Sequence, residues 1–329
     1  MKTDTSEKII QFIKQNQQTN PAQLAEYFEF SSQAIHRQLK KLITQGRLRK
    51  IGKPPKVFYL INNQQTISEN AAINLLSNTY KNRIQLRFLQ ITPEGRMLEG
   101  IEAFIYWCQK HKLPLQKTAE EYIKTLSKYD KYKNIDGYID GTAKIKTSFD
   151  KIYLDQVYYL DFYSIERFGK TKLGQMLLYA KQGQDEKLIK KIILQIKPQI
   201  KKLIKIKKID AVGFIPPTVK RSVQFMKKME DILMLKINKI SIEKPRTEII
   251  IPQKSLSKIQ DRIENAQKTI FITGSNIYNN ILLIDDAVGS GATLNETAKK
   301  IRERKICTGK IFGLALTGSY KGFDIISEV

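Results

Sequence analysis

The sequence is poor in the residues that build disulfide-linked or zinc-bound folds. Of its 329 residues only two are cysteines, Cys108 and Cys307, and they lie far apart without a CxxC pair. Neither a disulfide framework nor a cysteine-rich zinc site is therefore indicated. We expect both thiols to be buried as small apolar side chains, and we predict no metal site built from protein ligands alone.

Long hydrophobic runs are also missing. No apolar stretch approaches the roughly 20 residues that a membrane-spanning helix needs. The opening MKTDTSEK lacks the charged-then-apolar order of a signal peptide. We therefore expect a soluble, cytoplasmic protein without a membrane partner. With 329 residues the chain exceeds the usual length of one domain, which predicts two or three units.

Acidic residues are few relative to basic ones. The chain has 32 Asp and Glu against 57 Lys and Arg, which gives a formal charge of +25 and a pI of about 9.8. Clustered Lys and Arg bind phosphates and release counterions, so this excess favours a polyanionic partner. The abundant Lys, Ile, Asn and Gln also fit the bias of an AT-rich genome, which raises the pI without any binding role. The position of the basic residues has to decide between the two explanations.

The first sixty residues follow a pattern of three helices and a hairpin. Apolar residues recur at helical spacing in SEKIIQFIKQN, TNPAQLAEYFEF and SSQAIHRQLKKLITQGRL. Two β-prone runs joined by a Gly-Lys-Pro-Pro-Lys tip follow in LRKIGKPPKVFYLI. This order resembles the winged helix-turn-helix fold, and we assign it to residues 1–62.

The winged-helix resemblance implies that double-stranded DNA is a partner. In that family the third helix lies in the major groove and the hairpin touches the backbone or the minor groove. Gln and Arg can read base edges, and Lys suits phosphates. A winged helix used for protein contacts, or a solvated basic face, is the alternative. The implied DNA-binding residues are Ser32, Gln33, His36, Arg37 and Lys40 in the helix and Arg47, Arg49, Lys50, Lys53 and Lys56 in the hairpin.

Residues 63–150 form a less informative middle region. The segments TPEGRMLEGIEAFIYWCQKHK and LQKTAEEYIKTLSKYDKY predict amphipathic helices, and IDGYIDGTAKIKTSF predicts a short β hairpin. His111 has no companion at metal-ligand spacing, so we predict a structural or exposed histidine. We interpret the region as a connection between the two ends of the chain that supports a homodimer.

A lysine-rich segment follows the middle region. EKLIKKIILQIKPQIKKLIKIKKID predicts an amphipathic helix that is broken near Pro198. Its lysines could lie on a membrane or on nucleic acid. They could equally form the solvated face of a helix that packs by its isoleucines, which is the commoner arrangement and our prediction.

The carboxyl-terminal half alternates helices with apolar, strand-like runs. These runs are DAVGFI, RTEIII, KTIFIT, NILLIDD and KIFGLALTG, with the helical LNETAKKIRER between the last two. The alternation predicts an α/β domain with a largely parallel sheet over residues 151–329. Ligands of such sheets bind at the carboxyl ends of the strands, where LLIDDAVGSGATL stands.

The stretch LLIDDAVGSGATL sets two acids before a glycine-rich loop. Asp285 and Asp286 emerge where a buried strand ends, and unpaired carboxylates are costly to bury there. Two adjacent acids can accept hydrogen bonds from a vicinal diol such as a ribose, or hold Mg²⁺. Gly289 and Gly291 permit positive φ and close backbone approach, and the helix that follows offers free N–H groups.

Hydroxyl groups complete this loop as a monophosphate cradle. Ser290 and Thr293 supply them. A Walker loop would need a lysine that is absent here, and the dinucleotide fingerprint would need a third glycine and an acid after the loop. Acids that lead directly into a phosphate cradle describe a ribose 5-phosphate site.

The same stretch resembles the phosphoribosyl pyrophosphate (PRPP) signature of type I phosphoribosyltransferases. The resemblance implies that Asp285 and Asp286 hold the ribose hydroxyls, as the catalytic acids of an active enzyme, and that Mg²⁺ accompanies PRPP as cofactor. Gly289 departs from the threonine that is common there, which removes one hydroxyl but no backbone donor. The implied phosphate-binding residues are Val288, Gly289, Ser290, Gly291, Ala292 and Thr293.

Two further stretches extend the resemblance to the ComF branch of that fold, over about residues 160–329. FGKTKLGQMLLYAKQGQDEKL resembles the helix before its catalytic domain, while IPPTVKRSVQF and IPQKSLSKIQDRIENA resemble its pyrophosphate and flexible-loop regions. The zinc-binding cysteines usual in ComF proteins are absent, and Arg-Ser-Val-Gln-Phe replaces the usual Arg-Gly-Phe-Asn-Gln. The implied pyrophosphate residues are Pro217, Thr218, Lys220 and Arg221, and the implied flexible-loop residues are Lys254, Arg262 and Asn265.

The fold class expected for the whole chain is α/β, with an N-terminal winged helix domain and a C-terminal phosphoribosyltransferase-type parallel-sheet domain. This combination resembles the purine-operon repressors, which implies a transcriptional regulator in which PRPP or a nucleotide biases the DNA-competent state. The alternative is an active transferase in which Mg²⁺, Lys220 and Arg221 stabilise the departing pyrophosphate. A role in DNA uptake or processing is the third possibility, and the sequence leaves open whether the chain is an enzyme.

Overall fold

The computed structural model describes residues 5–16, 18–53, 56–62, 76–219, 221–245, 256 and 258–319, and for residues 52, 53 and 56 it describes the backbone alone. The chain divides into two compact units. The first holds the described residues up to Leu76 together with Thr92–Arg96, and the second holds the others. The residues of the middle region from Ser77 onwards, apart from Thr92–Arg96, thus belong to the same unit as the carboxyl-terminal half.

The first unit contains three helices followed by an antiparallel hairpin, which is the order of elements predicted for residues 1–62. Helix α1 is Thr5–Asn16, α2 is Pro21–Phe28 and α3 is Ser32–Thr44. Strands β1, Leu48–Lys53, and β2, Lys56–Ile61, pair antiparallel.

Local sequence sets the ends of these helices. Asn20 caps α2 through a reciprocal capping box with Gln23, and Pro21 occupies the first turn. The side chain of Ser31 caps α3, and Gly46 then takes a φ of +68° that ends the helical segment. The helices pack on a small apolar core whose fully buried members include Ile9, Ile13, Leu24, Ile35, Leu39 and Leu42.

The second unit is a mixed α/β structure around a mostly parallel sheet. Within the described residues this sheet has seven strands in the order β11-β10-β9-β12-β13-β6-β5. Its five central strands are parallel, and the edge pairs β10–β11 and β5–β6 are antiparallel. The strands are β5 (Ile139–Asp140), β6 (Gln156–Phe162), β9 (Ala211–Phe214), β10 (Asn238–Glu243), β11 (Phe271–Thr273), β12 (Ile281–Val288) and β13 (Ile311–Gly318).

Helices and two small antiparallel pairs surround this sheet. The pairs join β3 (Leu89–Ile91) with β4 (Met97–Glu99) and β7 (Ser164–Ile165) with β8 (Gly169–Lys170). The helices are α4 (Asn78–Arg87), α5 (Gly100–Lys110), α6 (Leu115–Asp130), α7 (Thr142–Lys146), α8 (Lys172–Gln182), α9 (Glu186–Ile206), α10 (Phe225–Leu233), α11 (Ile259–Thr269) and α12 (Ala292–Glu303). None of the helices in the described part of the chain has the length and apolarity required to span a bilayer.

Two predictions about local structure are wrong. Helix α9 is not broken at Pro198 but continues through it. A proline inside a helix costs about 3 kcal/mol, and the buried apolar face of α9 offsets this cost because Ile189, Ile192, Ile196 and Ile200 all pack in the core of the unit. Lysines such as Lys190 and Lys201 lie exposed on the other face, as predicted.

The segment IDGYIDGTAKIKTSF does not form the predicted hairpin. Only β5 is a strand there, and helix α7 follows it directly. A carboxylate oxygen of Asp140 accepts the backbone N–H of Thr142 at 2.8 Å, and Thr142 Oγ1 accepts the backbone N–H of Val157 at 2.9 Å. These side-chain bonds turn the backbone into a helical start instead of a second strand.

Candidate functional site

The acid pair lies at the carboxyl end of a central strand. Strand β12 runs between β9 and β13, and its first four residues are completely buried. Asp285 and Asp286 follow them and are only partly buried. The register pairs Asp285 with Ala315 of β13, so the carboxylates stand where parallel sheets bind ligands.

Asp286 is paired with a lysine that sequence reasoning missed. The Nζ atom of Lys181, at the end of α8, lies 2.6 Å from Oδ2 of Asp286, and the side chains are 16% and 14% exposed. A shielded ion pair of this kind leaves a buried, uncompensated charge when one partner is removed. Lys181 therefore belongs to the acid site.

Asp285 is held in a less favourable environment. Its Oδ1 atom accepts the backbone N–H of Asp286 at 2.8 Å. Burial, and then the neighbouring charge of Asp286, raise the pKa of the Asp285 carboxyl to about 7, although Lys181 and Lys244 oppose the shift. The Asp285 carboxyl thus holds its proton to a higher pH than an ordinary aspartate does.

This shift predicts a pH-dependent cost to stability. The pKa of Asp285 is higher in the folded chain than its ordinary value of 3.8, so its contribution to stability is complete below about pH 4 and is lost as the pH rises through about 7. We expect the free energy of unfolding to fall by about 2–4 kcal/mol more in the wild type than in Asp285→Asn over this range. Urea unfolding of both proteins at the two pH values measures the difference.

The matched control for this stability experiment is the exposed Asp231 of α10. Asp231→Asn should follow the wild-type pH dependence because its side chain is exposed and lies outside the acid site. Equal pH slopes for the wild type and Asp285→Asn would show that Asp285 is not destabilised by burial.

A cavity of about 180 Å³ opens beside the acid pair. Residues 215–219 and the start of α10 form much of its wall, together with Ala287 and Thr293. Its charged lining consists of Asp285 and Asp286 against Lys181, Arg221 and Lys244, so three cations face two carboxylates among the described lining residues. The cavity has one formal positive charge in excess and suits an anion.

Lys244 is the second cation that sequence reasoning missed. It follows β10, whose end lies beside that of β9, and its Nζ atom donates to Oγ1 of Thr218 at 2.6 Å. Burial lowers the pKa of Lys244, while the charge of Asp285 opposes this shift. Thr218, a predicted pyrophosphate residue, thus serves to hold this ammonium group at the cavity.

Hydrogen bonds fix the loop that leads into α10. Arg221 donates from Nη1 to the carbonyl oxygen of Lys181. Val223 donates its backbone N–H to Oε1 of Gln184 at 3.0 Å, and Gln224 donates to the carbonyl oxygen of Arg221 at 2.7 Å. The predicted pyrophosphate residue Arg221 therefore lines the cavity and also connects this loop to the helix that carries Lys181.

Pro217 lines the same cavity as Thr218 and Arg221. The structure thus brings three of the four predicted pyrophosphate residues to the acid pair. The fourth, Lys220, lies outside the described residues, as does Lys254 of the predicted flexible loop. The segment RTEIII, a predicted strand, also lies outside them.

The predicted phosphate loop starts a helix of twelve residues, α12. Gly291 is its N-cap with a φ of +85°, and a Cβ atom there would lie only 2.9 Å from Cδ1 of Ile145. A side chain at this position is both strained and obstructed, which accounts for the glycine. Ser290 Oγ accepts the backbone N–H of Ala292 at 3.3 Å. The helix start with Thr293 faces the cavity.

The predicted flexible-loop residue Arg262 lies beside this phosphate loop. A Cβ atom on Gly289 would be 3.7 Å from its Nη1 atom. Arg262 Nε donates to the carbonyl oxygen of Leu256 at 2.7 Å, and burial lowers its pKa. Asn265 follows one turn later on α11 and is partly buried. The glycine at 289, where the resembled family has threonine, thus leaves space next to a guanidinium group.

Lys144 lies on α7, which packs beside the phosphate loop, because a Cβ atom on Gly291 would lie 2.9 Å from Cδ1 of the neighbouring Ile145. The Nζ atom of Lys144 donates to the carbonyl oxygen of Ser319 at 2.8 Å. The N–H of Ser319 donates to the carbonyl oxygen of Val288 at 3.4 Å. Lys144 is thus connected through Ser319 to the strand end that leads into the loop. Burial lowers the pKa of Lys144 to about 8.

Sequence reasoning missed all three lysines for the same reason. Lys181, Lys244 and Lys144 come from α8, from the end of β10 and from α7, far from the glycine loop in sequence. For Lys244 the sequence did contain a signal. It directly follows NKISIE, whose alternating apolar residues predict a strand. Ligands of parallel sheets bind at the carboxyl ends of the strands, which is where Lys244 stands.

The predicted DNA-binding face of α3 is exposed. His36 and Arg37 are neighbours and Lys40 follows them by one helical turn, and all three are exposed, whereas Ile35 and Leu39 are buried. Ser32 and Gln33 at the start of α3 are exposed as well.

The hairpin arginines are engaged in ion pairs instead. Arg47 pairs with Glu7 at 2.7 Å, and Arg49 pairs with Glu94 at 3.4 Å. Lys50 is exposed, while the side chains of Lys53 and Lys56 lie outside the described residues. The two hairpin arginines are thus committed to ion pairs, while the predicted residues of the helix face are exposed.

Within the described residues, no group of three or more His, Cys, Asp or Glu side chains is placed to hold a metal ion. No family model matches the chain, and no curated protein matches it.

Proposed function

We propose that the chain is a DNA-binding regulator whose α/β unit binds PRPP or another 5-phosphorylated ribose. In this proposal the first unit is a winged helix that binds double-stranded DNA, and the second is a phosphoribosyltransferase-type domain used to sense its ligand. The homodimer expected from the sequence stays a prediction. One observation carries the ligand proposal: an acid pair, a glycine-capped helix start and a cationic cavity meet at the end of one central strand.

Each part of the site has a separate chemical task in this proposal. Asp285 and Asp286 accept hydrogen bonds from the two ribose hydroxyls. The N–H groups at the start of α12, with Ser290 and Thr293, bind the 5-phosphate through hydrogen bonds and the helix dipole. Lys181 and Lys244 face the negative charge carried at the other end of the sugar.

Coupling to DNA requires that the ligand bind two conformations of the chain with different affinity. The exposed side chains of α3 supply base and phosphate contacts in the DNA-bound conformation. The cavity supplies the ligand contacts. By thermodynamic linkage, DNA must then change the affinity for PRPP by the same factor as PRPP changes the affinity for DNA.

Isothermal titration of the full chain with PRPP tests the ligand part of the proposal. We expect saturable binding with one site per chain, and competition by ribose 5-phosphate. Absence of binding by PRPP and by ribose 5-phosphate would overturn the ligand part.

An active transferase is a second candidate, because Asp285 has the property of a catalytic acid or base. Its raised pKa of about 7 would let it exchange a proton near neutral pH beside the reacting sugar. In that reaction a nucleobase nitrogen forms a bond to the anomeric carbon, and pyrophosphate leaves with the electrons of the broken C–O bond. Release of pyrophosphate from PRPP, measured across a set of nucleobases, would support the transferase, and its absence with every base would favour sensing.

The position of Lys144 predicts a role in binding the 5-phosphate. Lys144→Gln should lower the affinity for ribose 5-phosphate about tenfold or more, since a hydrogen bond to a charged group contributes about 1.5–3 kcal/mol. The affinity for inorganic pyrophosphate should stay unchanged because that group binds at the Lys181 side. Calorimetric titration with the two ligands measures both effects.

Lys146 provides the control for the Lys144 experiment. It lies on the same short helix and is exposed, so Lys146→Gln should leave both affinities unchanged. Equal losses for ribose 5-phosphate in the two variants, or equal losses for both ligands in Lys144→Gln, would contradict a specific phosphate contact.

A further inference from the structure

The acid pair already has its counterions in the protein. Lys181 contacts Asp286 at 2.6 Å, and both side chains are largely shielded from water. Lys244 follows β10 at the same edge of the sheet, and its charge acts on Asp285 while Thr218 holds its ammonium group. The acid pair thus lies among ammonium groups that belong to separate elements of the fold.

These ammonium groups are also held in place. Arg221 binds the carbonyl oxygen of Lys181 at the last turn of α8, and the bond from Val223 to Gln184 fixes the same loop a few residues later. The lysines are therefore built into the cavity wall and do not depend on a ligand for their position.

A divalent cation does not fit this arrangement. Mg²⁺ takes carboxylate and other oxygen ligands, whereas here the ammonium group of Lys181 lies 2.6 Å from Oδ2 of Asp286. Among the described lining residues, three cations face two carboxylates, so the cavity repels a further positive charge. The same excess attracts a pyrophosphate group, which carries several negative charges. The residues present therefore do not suit the Mg²⁺ cofactor that the resemblance to phosphoribosyltransferases implies.

We infer that the site binds PRPP as a metal-free polyanion, with the ammonium groups of Lys181 and Lys244 in the role that Mg²⁺ has in the resembled transferases. This inference rests on the proposed function, since it assumes that PRPP is a ligand. The protein's own cations then neutralise the pyrophosphate, and the acid pair remains available to the ribose hydroxyls. Ligand occupancy becomes independent of the magnesium concentration.

Titration calorimetry with PRPP tests the inference on the full wild-type chain, in a buffer with excess EDTA and in the same buffer with Mg²⁺ in excess. We expect affinities that agree within about threefold, or tighter binding in EDTA. A loss of tenfold or more in EDTA would overturn the inference and leave the proposed function standing. Absence of binding in both buffers would instead overturn the proposed ligand.

Variants of the two lysines add a second measurement. Lys244→Ala and Lys181→Ala should each weaken binding in EDTA by tenfold or more, and Mg²⁺ should recover part of that loss because the cavity has lost a cation. Lys190→Ala, on the exposed face of α9, should bind PRPP as the wild type does in both buffers.

Circular dichroism checks that each variant is folded. Should Lys181→Ala fail to fold, Lys244→Ala still decides the point, because the bond that its ammonium group makes goes to the neutral hydroxyl of Thr218. Equal losses of PRPP affinity with and without Mg²⁺ in the folded variants would contradict the inference that the lysines take the role of the metal.

Discussion

Replacing Asp286 by asparagine is expected to lower the affinity for PRPP by roughly 10- to 150-fold. The change removes a charged acceptor for a ribose hydroxyl, which costs about 1.5–3 kcal/mol. It also leaves Lys181 beside the cavity without the carboxylate that it contacts at 2.6 Å, and breaking a shielded ion pair on one side costs about 3–5 kcal/mol in stability. Asp286→Asn should therefore bind PRPP weakly and unfold at lower urea concentration.

Calorimetry and urea unfolding separate the two parts of this effect. The control variant is Asp231→Asn, whose side chain is exposed on α10, and it should match the wild type in both measurements. A double variant, Asp286→Asn with Lys181→Met, should recover part of the stability but not the PRPP affinity, because it removes the unpaired charge together with its partner. Wild-type PRPP affinity in Asp286→Asn would exclude the acid pair as the ribose site.

The second large effect is expected on DNA. The variant Arg37→Ala/Lys40→Ala should lower the affinity for duplex DNA on the order of 100-fold, since an arginine at a base edge contributes about 1–3 kcal/mol and a lysine at a phosphate adds to this. The slope of log affinity against log salt concentration should become shallower by about 0.9 for each lost phosphate contact. Both side chains are exposed on α3, so the fold of the first unit should not change.

Fluorescence anisotropy at several salt concentrations measures the affinity and the slope together. Lys8→Ala/Lys14→Ala provides the matched control, because both lysines are exposed on α1 and the variant loses the same two charges. A similar loss in this control and in the α3 variant would mean that DNA responds to net charge alone. That result would favour the compositional explanation of the basic sequence over a recognition helix.

Local patterns in the sequence predict the backbone of the site well. The buried run before Asp285 makes β12 a central strand, and the glycines after it start α12, as expected from hydrophobic periodicity and helix capping. These features depend on residues that are neighbours along the chain. Strand β6, with its run VYYLDF, was not predicted although it pairs with β13 in the sheet.

The charges around the acids could not be predicted in the same way. Lys181 and Lys144 reach the site from helices more than 100 residues before Asp286, and only the packing of α8 and α7 on the sheet brings them there. Tertiary structure also determines what Arg49 binds. The sequence predicts that it contacts DNA, but in the structure it forms an ion pair with Glu94. Single-sequence patterns contain no signal for such long-range pairs.

The continuous helix at Pro198 also shows that tertiary packing can outweigh a local preference. A propensity argument places a break there, but burial of a row of isoleucines outweighs the local cost of the proline. At the segment after β5, side-chain bonds of Asp140 and Thr142 outweigh the β-like pattern and place α7 beside the phosphate loop. Without that helix, Lys144 would not reach the carbonyl oxygen of Ser319.

The central claim is that ligand binding in the second unit changes DNA binding by the first. It is tested most directly by the affinity of the full chain for a labelled duplex selected by its own binding, with and without saturating PRPP. We predict a change in DNA affinity of about 5- to 150-fold, the usual range of allosteric coupling, and no change in Asp286→Asn. An identical DNA affinity with and without PRPP, under conditions where calorimetry shows the site to be saturated, would contradict the account.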